Sequence, residues 1–235
     1  MGCATSRRED ANARTFDDIR DGGVTITKKT EQPLGVLLVT NNVSGVFDDV
    51  GTRLPLWVQA IGETIVSHRA DFVALHLQEI GGTDWKRKGL GHVRPYVQAV
   101  LDAFPEFWCS GFLCDMNASE TFTALGSIYL VRKSAAHCVQ LWQFNDADGG
   151  AGVFRSVADL ASPLVAEPQA DARFCRLAQF PAHFFEKGKL SRKGYLLTRW
   201  RLAERSTVDL INIHNMHDGS NVGAVQRRAG QVESE

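Results

Sequence analysis

Cysteine is scarce in this sequence, and what there is does not pair. Cys3, Cys109, Cys114, Cys138 and Cys175 make an odd set with no C-x-x-C spacing, which argues against both a disulfide framework and a zinc ribbon. A reducing, cytosolic compartment suits such a set. No apolar run approaches the ~20 residues that cross a bilayer, and the N-terminus lacks the apolar core of a secretory signal peptide. Excess charge of one sign is missing as well. The 26 basic and 27 acidic residues leave a formal net charge of −1, so no global field draws the chain to nucleic acid or to bulk anionic membrane. No internal repeat is visible. What the chain has in quantity is apolar material, 44% of 235 residues, enough for one sizeable core in one domain.

The first residues carry an address. Met1-Gly2-Cys3-Ala4-Thr5-Ser6 satisfies M-G-x-x-x-[ST], in which removal of Met1 exposes the Gly2 amine for myristoylation. Cys3 beside it is a palmitoylation candidate. One acyl chain holds a membrane only marginally, so the thiol matters as a second anchor, with Arg7 and Arg8 adding a weak pull toward anionic lipid. The expected location is the cytoplasmic face of a membrane, the plasma membrane first, and otherwise the cytosol.

Residues 1–32 are polar, charged and aperiodic and read as a flexible leader. Packed structure is expected from Pro33. Gly35 to Val39 is short, apolar and β-branched, as in a strand buried on both faces, with Asn42 just past its end. Leu56, Trp57, Ala60, Ile61, Ile65 and Val66 recur at helical spacing behind Pro55, which fits a first-turn position. Asp71 to Leu77 reads as a second buried strand that delivers Gln78 and Glu79 at its carboxyl end, the rim where open α/β sheets bind ligands. Val93, Tyr96, Val97, Val100, Leu101 and Phe104 form the stripe of a second helix. Strands then predominate: Phe107–Leu113, Thr121–Arg132, Cys138–Phe144, Tyr195–Leu202 and Val208–Ile213, several with antiparallel alternation. From Asn145 to about Lys189 the pattern is weak, with room for one short strand.

Three constellations are able to carry chemistry. Asn42 and Glu79 each follow a buried strand. A carboxylate with a nearby amide suits a hard, oxygen-preferring cation such as Mg²⁺, although both types are also ordinary turn residues. Lys187 to Arg201 packs Lys187, Lys189, Arg192, Lys193, Arg199 and Arg201 around Ser191 and Gly194. In a chain of nearly zero net charge this is a local well for a multiply phosphorylated ligand, or else a solvated basic hairpin. Asn212-Ile213-His214-Asn215-Met216-His217-Asp218 places two imidazoles and a carboxylate at a strand end, able to ligate metal or to donate to a phosphoryl oxygen. It is not the H-E-x-x-H zinc helix, because His214 ends a strand.

Taken in order, these segments resemble the inositol-polyphosphate 5-phosphatases of the endonuclease/exonuclease/phosphatase superfamily, the small type I group in particular. The resemblance is carried by Leu37-Leu38-Val39-Thr40-Asn41-Asn42-Val43, Phe47-Asp48-Asp49, and Phe72-Val73-Ala74-Leu75-His76-Leu77-Gln78-Glu79. Phe122-Thr123-Ala124-Leu125-Gly126-Ser127, Ser191-Arg192-Lys193-Gly194-Tyr195, Thr198-Arg199-Trp200 and Asp209-Leu210-Ile211-Asn212-Ile213-His214 continue it. It covers about residues 34–225.

The resemblance implies an α/β fold, a four-layer α/β/β/α sandwich with the site at one rim, and Mg²⁺-dependent removal of the 5-phosphate from inositol 1,4,5-trisphosphate and related inositol phosphates. Glu79 falls on the family's metal-binding Glu, Asn42 on its partner Asn, and His214 on the phosphate-contacting His. Lys193 falls on a substrate-phosphate contact, with Arg192, Arg199 and His217 as further substrate-binding candidates. The partners implied are the inositol polyphosphate and a membrane surface, with no nucleic acid and no oligomer.

The family's Gly-Asp-Phe-Asn, Trp-Cys-Asp-Arg and Ser-Asp-His segments do not occur after Asn221, and residues 226–235 diverge from its continuation. The organisation expected is therefore a leader over 1–32, a partial catalytic domain over 33–225 whose C-terminal half is missing, and a divergent tail. The water-orienting Asp and its Asn belong to the absent segments. The expectation is that these residues alone are inactive and poorly soluble. Two alternatives stay open: another phosphodiesterase or nuclease of the superfamily, and a membrane-tethered inositol-phosphate binder without catalysis.

Overall fold

Two apolar runs lie side by side at the centre of the fold. β1 (Val36–Asn42) and β2 (Phe72–Gln78) pair in parallel, in register from Val36 against Phe72 to Asn42 against Gln78. A parallel pair cannot be closed by a tight hairpin, and the chain crosses over through α1 (Ser44–Asp48) and α2 (Val50–Ser67). Asp49 between them accepts a hydrogen bond from the Thr52 amide at 3.3 Å, satisfying one of the donors that a helix start leaves unpaired. These relationships come from a computed structural model that describes residues 33–85, 91, 93–115, 122–145, 152–160, 173–181, 192–203 and 206–215. From Leu34 onward they lie in one compact unit.

The helix α3 (Val93–Ala103) leads to β3 (Phe107–Cys114) and β4 (Leu125–Arg132), which is antiparallel to both β2 and β3. The first sheet thus runs β1-β2-β4-β3. A 3₁₀ turn at Lys133–Cys138 carries the chain into a second, antiparallel sheet. It comprises β5 (Val139–Phe144), β6 (Gly152–Ser156), β7 (Arg176–Gln179), β8 (Gly194–Leu202) and β9 (Ser206–His214). β8 is its hub, with β5 and β7 end to end along one edge and β9 along the other.

Two cores follow from this layering. Ile61, Ile65, Tyr96, Val97 and Val100 of the helices pack on Val73, Leu75 and Leu77 of β2. On the opposite face Phe72, Ala74, Tyr129 and Val131 meet Val139, Leu141, Leu196, Trp200 and Leu210 of the second sheet. Each fully buried aliphatic or aromatic side chain contributes about 1.5–3 kcal/mol, and Trp200, Tyr129 and Phe72 anchor the junction through ring contacts of 4.8–6.3 Å.

The mixed α/β class with two stacked sheets agrees with the sequence reading. Of the four expected layers, the described residues form three, since none of their helices covers the outer face of the second sheet. Several boundaries differ. β1 extends through Asn42, and it is not buried on both faces: Leu37 and Val39 pack under the helices, whereas Val36 and Leu38 are 47% and 58% exposed. α2 starts at Val50 rather than Pro55 because Asp49 caps it, which leaves Pro55 inside the helix, and Leu56 and Val66 are exposed. The weakly patterned stretch after Asn145 supplies two short strands, β6 and β7.

Candidate functional site

The carboxyl ends of β1 and β2 and the adjoining end of β9 bring Asn42, Glu79 and His214 to one rim. Backbone geometry aims the groups. Glu79 has φ 59° and Ala124 has φ 56°, left-handed conformations that a side chain with a Cβ adopts only where its surroundings insist. The two turns are joined, for the Ile80 amide donates to the Ala124 carbonyl at 3.1 Å and the Gly82 amide to the Glu79 carbonyl at 3.0 Å.

His214 is 4% exposed and held at both nitrogens. Nδ1 lies 3.0 Å from the Thr123 carbonyl, which only accepts, so Nδ1 carries the proton. Nε2 is then a lone-pair acceptor, and Lys193 Nζ lies 2.8 Å from it. Glu79 Oε1 is 3.6 Å from the same nitrogen. Burial lowers the pKa of His214, and the Lys193 and Arg192 charges lower it further against the Thr123 hydrogen bond and Glu79. The ring is therefore neutral at pH 7.

Glu79 is displaced the other way in charge. Partial burial pushes its carboxyl up, but the hydrogen-bonding Asn42 amide, then Arg192 and His214, more than offset it and bring the pKa below its ordinary value. A carboxylate ionised at neutral pH thus stands among a neutral imidazole, an ammonium and a guanidinium. Arg192 Nη1 is buried and has no hydrogen-bond partner among the described residues. A buried donor of this kind is costly unless an acceptor arrives, and an anionic oxygen suits it.

Gly194 explains how Lys193 comes so near. A Cβ there would strike the Ala178 carbonyl and lie 2.9 Å from the Thr123 methyl carbon, so only glycine lets β8 start against the Thr123 turn. Beneath the rim, Asn212 is 1% exposed and donates to the carbonyls of Leu77 and Gly126 and to Ser127 Oγ at 2.9–3.2 Å. Its oxygen accepts from Gln78 Nε2 at 2.7 Å.

Of the expected site residues, Asn42, Glu79, Arg192, Lys193 and His214 gather here. Asn42 stands beside Glu79: its oxygen accepts from the Ser44 amide at 3.1 Å while its amide hydrogen-bonds the Glu79 carboxylate and so orients it. Arg199 is elsewhere. It lies on the outer face of β8, directly across from Asp209, which it binds through two bonds of 2.7 and 2.9 Å. Strand alternation explains this, because Arg199 falls on the face opposite Thr198 and Trp200. Gly2, Cys3 and His217 lie outside the described residues, as do Lys187, Lys189 and Ser191. Asp115, Thr123, Gln78 and Asn212 had no assigned role in the sequence reading. The available signal was that Thr123, Gln78 and Asn212 fall within the segments carrying the resemblance.

For a hard cation, the described residues offer the ionised Glu79 with its supporting amide, and no cluster of three or more His, Cys, Asp or Glu. One carboxylate with the remaining positions taken by water and phosphate fits Mg²⁺.

No protein-family model matches the chain. Over 193 residues, 80% of this chain and 44% of the relative, it is 35% identical to inositol polyphosphate-5-phosphatase A of Homo sapiens. The same protein of Rattus norvegicus is 34% identical over the same shares. A protein of Caenorhabditis elegans named "Probable type I inositol 1,4,5-trisphosphate 5-phosphatase" is 26% identical over 192 residues, again 80% of this chain and 44% of the relative. These homologues bear the names of phosphoric monoester hydrolases. The chain spans less than half the length of the curated relatives it matches.

Proposed function

We propose that these residues form the phosphate-binding side of an inositol-polyphosphate 5-phosphatase site, acting on inositol 1,4,5-trisphosphate and related inositol phosphates. The observation that carries the reading is the Lys193 Nζ to His214 Nε2 approach of 2.8 Å beside Glu79 at 3.6 Å. A phosphoryl oxygen entering there meets an ammonium, the unpaired Arg192 donor and, once Nε2 takes a proton, an imidazolium. In an in-line displacement such donors matter most as charge grows on the phosphoryl oxygens.

Mg²⁺ bound at Glu79 would supply neutralisation of phosphoryl and leaving oxygens. Asn42 holds the carboxylate in place for it. Orientation of the attacking water is assigned by the resemblance to an Asp in segments that these 235 residues do not contain, so binding without turnover is the proposed behaviour of this polypeptide by itself. Attachment to a membrane through Gly2 and Cys3 is the accompanying proposal, and a Gly2→Ala variant moving from membrane to soluble fractions would support it.

Titration calorimetry with inositol 1,4,5-trisphosphate, with and without Mg²⁺, tests the reading. Saturable binding that strengthens with Mg²⁺ and loses that dependence in Glu79→Gln is expected, with no phosphate release. Absence of binding under both conditions would overturn the proposed ligand class. Robust phosphate release would overturn the assignment of water orientation to the segments not present here.

A further inference from the structure

Within the reading above, His214 works only if Nε2, not Nδ1, faces the phosphate, and two contacts hold it so: Lys193 at Nε2 and, on the opposite side of the ring, the Thr123 carbonyl at Nδ1. We infer that Asp115 is a positioning residue: through Thr123 it fixes the peptide whose carbonyl selects the Nδ1–H tautomer of His214. Asp115 Oδ2 accepts from the Thr123 amide at 2.6 Å and from Thr123 Oγ1 at 2.8 Å. The Thr123 carbonyl then accepts from His214 Nδ1 at 3.0 Å. All three residues are buried, at 3%, 1% and 4% exposure, so water does not replace these bonds cheaply.

A second observation supports the assignment independently. The plane of the Thr123–Ala124 peptide is set by the torsions on either side of it, and Ala124 holds φ 56°. Alanine resists that conformation, so an unrestrained chain gains by rotating this peptide and withdrawing the carbonyl from His214. Asp115 stands against that rotation by gripping Thr123 at two atoms, while its own amide donates to the Leu125 carbonyl at 2.9 Å on the far side of the same turn. A carboxylate with two short bonds to one residue is a stronger grip than a neutral acceptor provides.

The test reads the tautomer directly, by long-range ¹H–¹⁵N correlation of the ¹⁵N-histidine-labelled chain at pH 7.5 without ligand or Mg²⁺. Wild-type His214 is expected as the Nδ1–H form. Asp115→Asn keeps the shape and removes the charge, and should raise the Nε2–H population about tenfold; Thr123→Val, which removes one of the two bonds, should raise it by less. Wild-type protein in the Nε2–H form, or both variants with the wild-type ratio, would overturn the inference. Thr123→Val decides alone if Asp115→Asn does not fold. Because no ligand is present, failure of wild-type protein to bind inositol trisphosphate would defeat the proposed function and leave this result standing.

Discussion

Gln78 Nε2 donates to Asn212 Oδ1 across the junction of the two sheets at 2.7 Å. Gln78 is the residue before Glu79, and Asn212 lies two residues before His214 on the same face of β9. One amide pair therefore ties together the strand ends that present the two groups 3.6 Å apart. Asn212 also donates to backbone carbonyls of β2 and β4, so the rim is held by a satisfied buried network.

That network makes a contrast between two substitutions. Asn212→Ala strips the donors and leaves Gln78 and two carbonyls short of partners, a cost of about 2–3 kcal/mol. Asn212→Asp preserves shape but turns a carboxylate oxygen toward the Leu77 and Gly126 carbonyls, so it should cost more than the alanine despite its smaller structural change. Urea midpoints rank the two. An aspartate variant as stable as wild type at pH 7 would show that the amide donors contribute nothing.

For the site itself, Lys193→Ala should weaken inositol trisphosphate binding roughly tenfold to a hundredfold, the loss of one or more charge-assisted bonds of about 1.5–3 kcal/mol. Lys193→Arg should recover only part, since a planar fork does not reproduce a point donor above His214 Nε2. Calorimetry at matched ionic strength measures both. Equal affinity for wild type and Lys193→Ala would remove Lys193 from the binding site.

That Asn42, Glu79 and His214 sit at strand ends was legible, because strand ends follow from apolar runs and their breaks, but their meeting with Lys193 in one site was implied only by the family resemblance. Other features were not legible. An apolar run reports what a strand is able to bury, not what covers it, so Gly35 to Val39 read as covered on both faces although Val36 and Leu38 stand exposed. Charge density between Lys187 and Arg201 grouped Arg199 with Lys193, but the two-residue period of β8 turns Arg199 outward to Asp209. Thr123 meets His214 through its backbone carbonyl, which every residue type has, and its hydroxyl answers Asp115 eight residues away, a pairing that no local pattern in the sequence announces.

Arg199 gives a prediction of small effects. Its bidentate pair with Asp209 is exposed on the outer face of β8, and exposed pairs contribute about 0–1 kcal/mol. Arg199→Ala should lower stability by no more than that and leave inositol trisphosphate affinity within about twofold, where Lys193→Ala does not. A drop in affinity matching Lys193→Ala would return Arg199 to the phosphate site.

Acid should destabilise the fold through His76. The ring lies between the sheets, 3.4 Å from the Tyr129 hydroxyl, and burial pulls its pKa down from 6.5 to about 4. Above pH 6.5 the imidazole is neutral whether the chain is folded or not, so the stability is fully present. Between pH 6.5 and 4 the unfolded chain takes up the proton that the folded chain refuses, and stability is lost as pH falls. Below about 4 both forms are protonated and this contribution changes no further. At 1.36 kcal/mol per pKa unit the loss has a ceiling of about 3 kcal/mol, reduced by the water that reaches a partly exposed ring. The lowered pKa of His214 adds loss of the same sign, so the comparison must isolate His76. His76→Gln cannot take up the proton, and the difference between its urea midpoints at pH 7 and pH 4.5 should be smaller than that of wild type. If the two proteins lose the same stability between these pH values, His76 is not the group that carries the acid sensitivity.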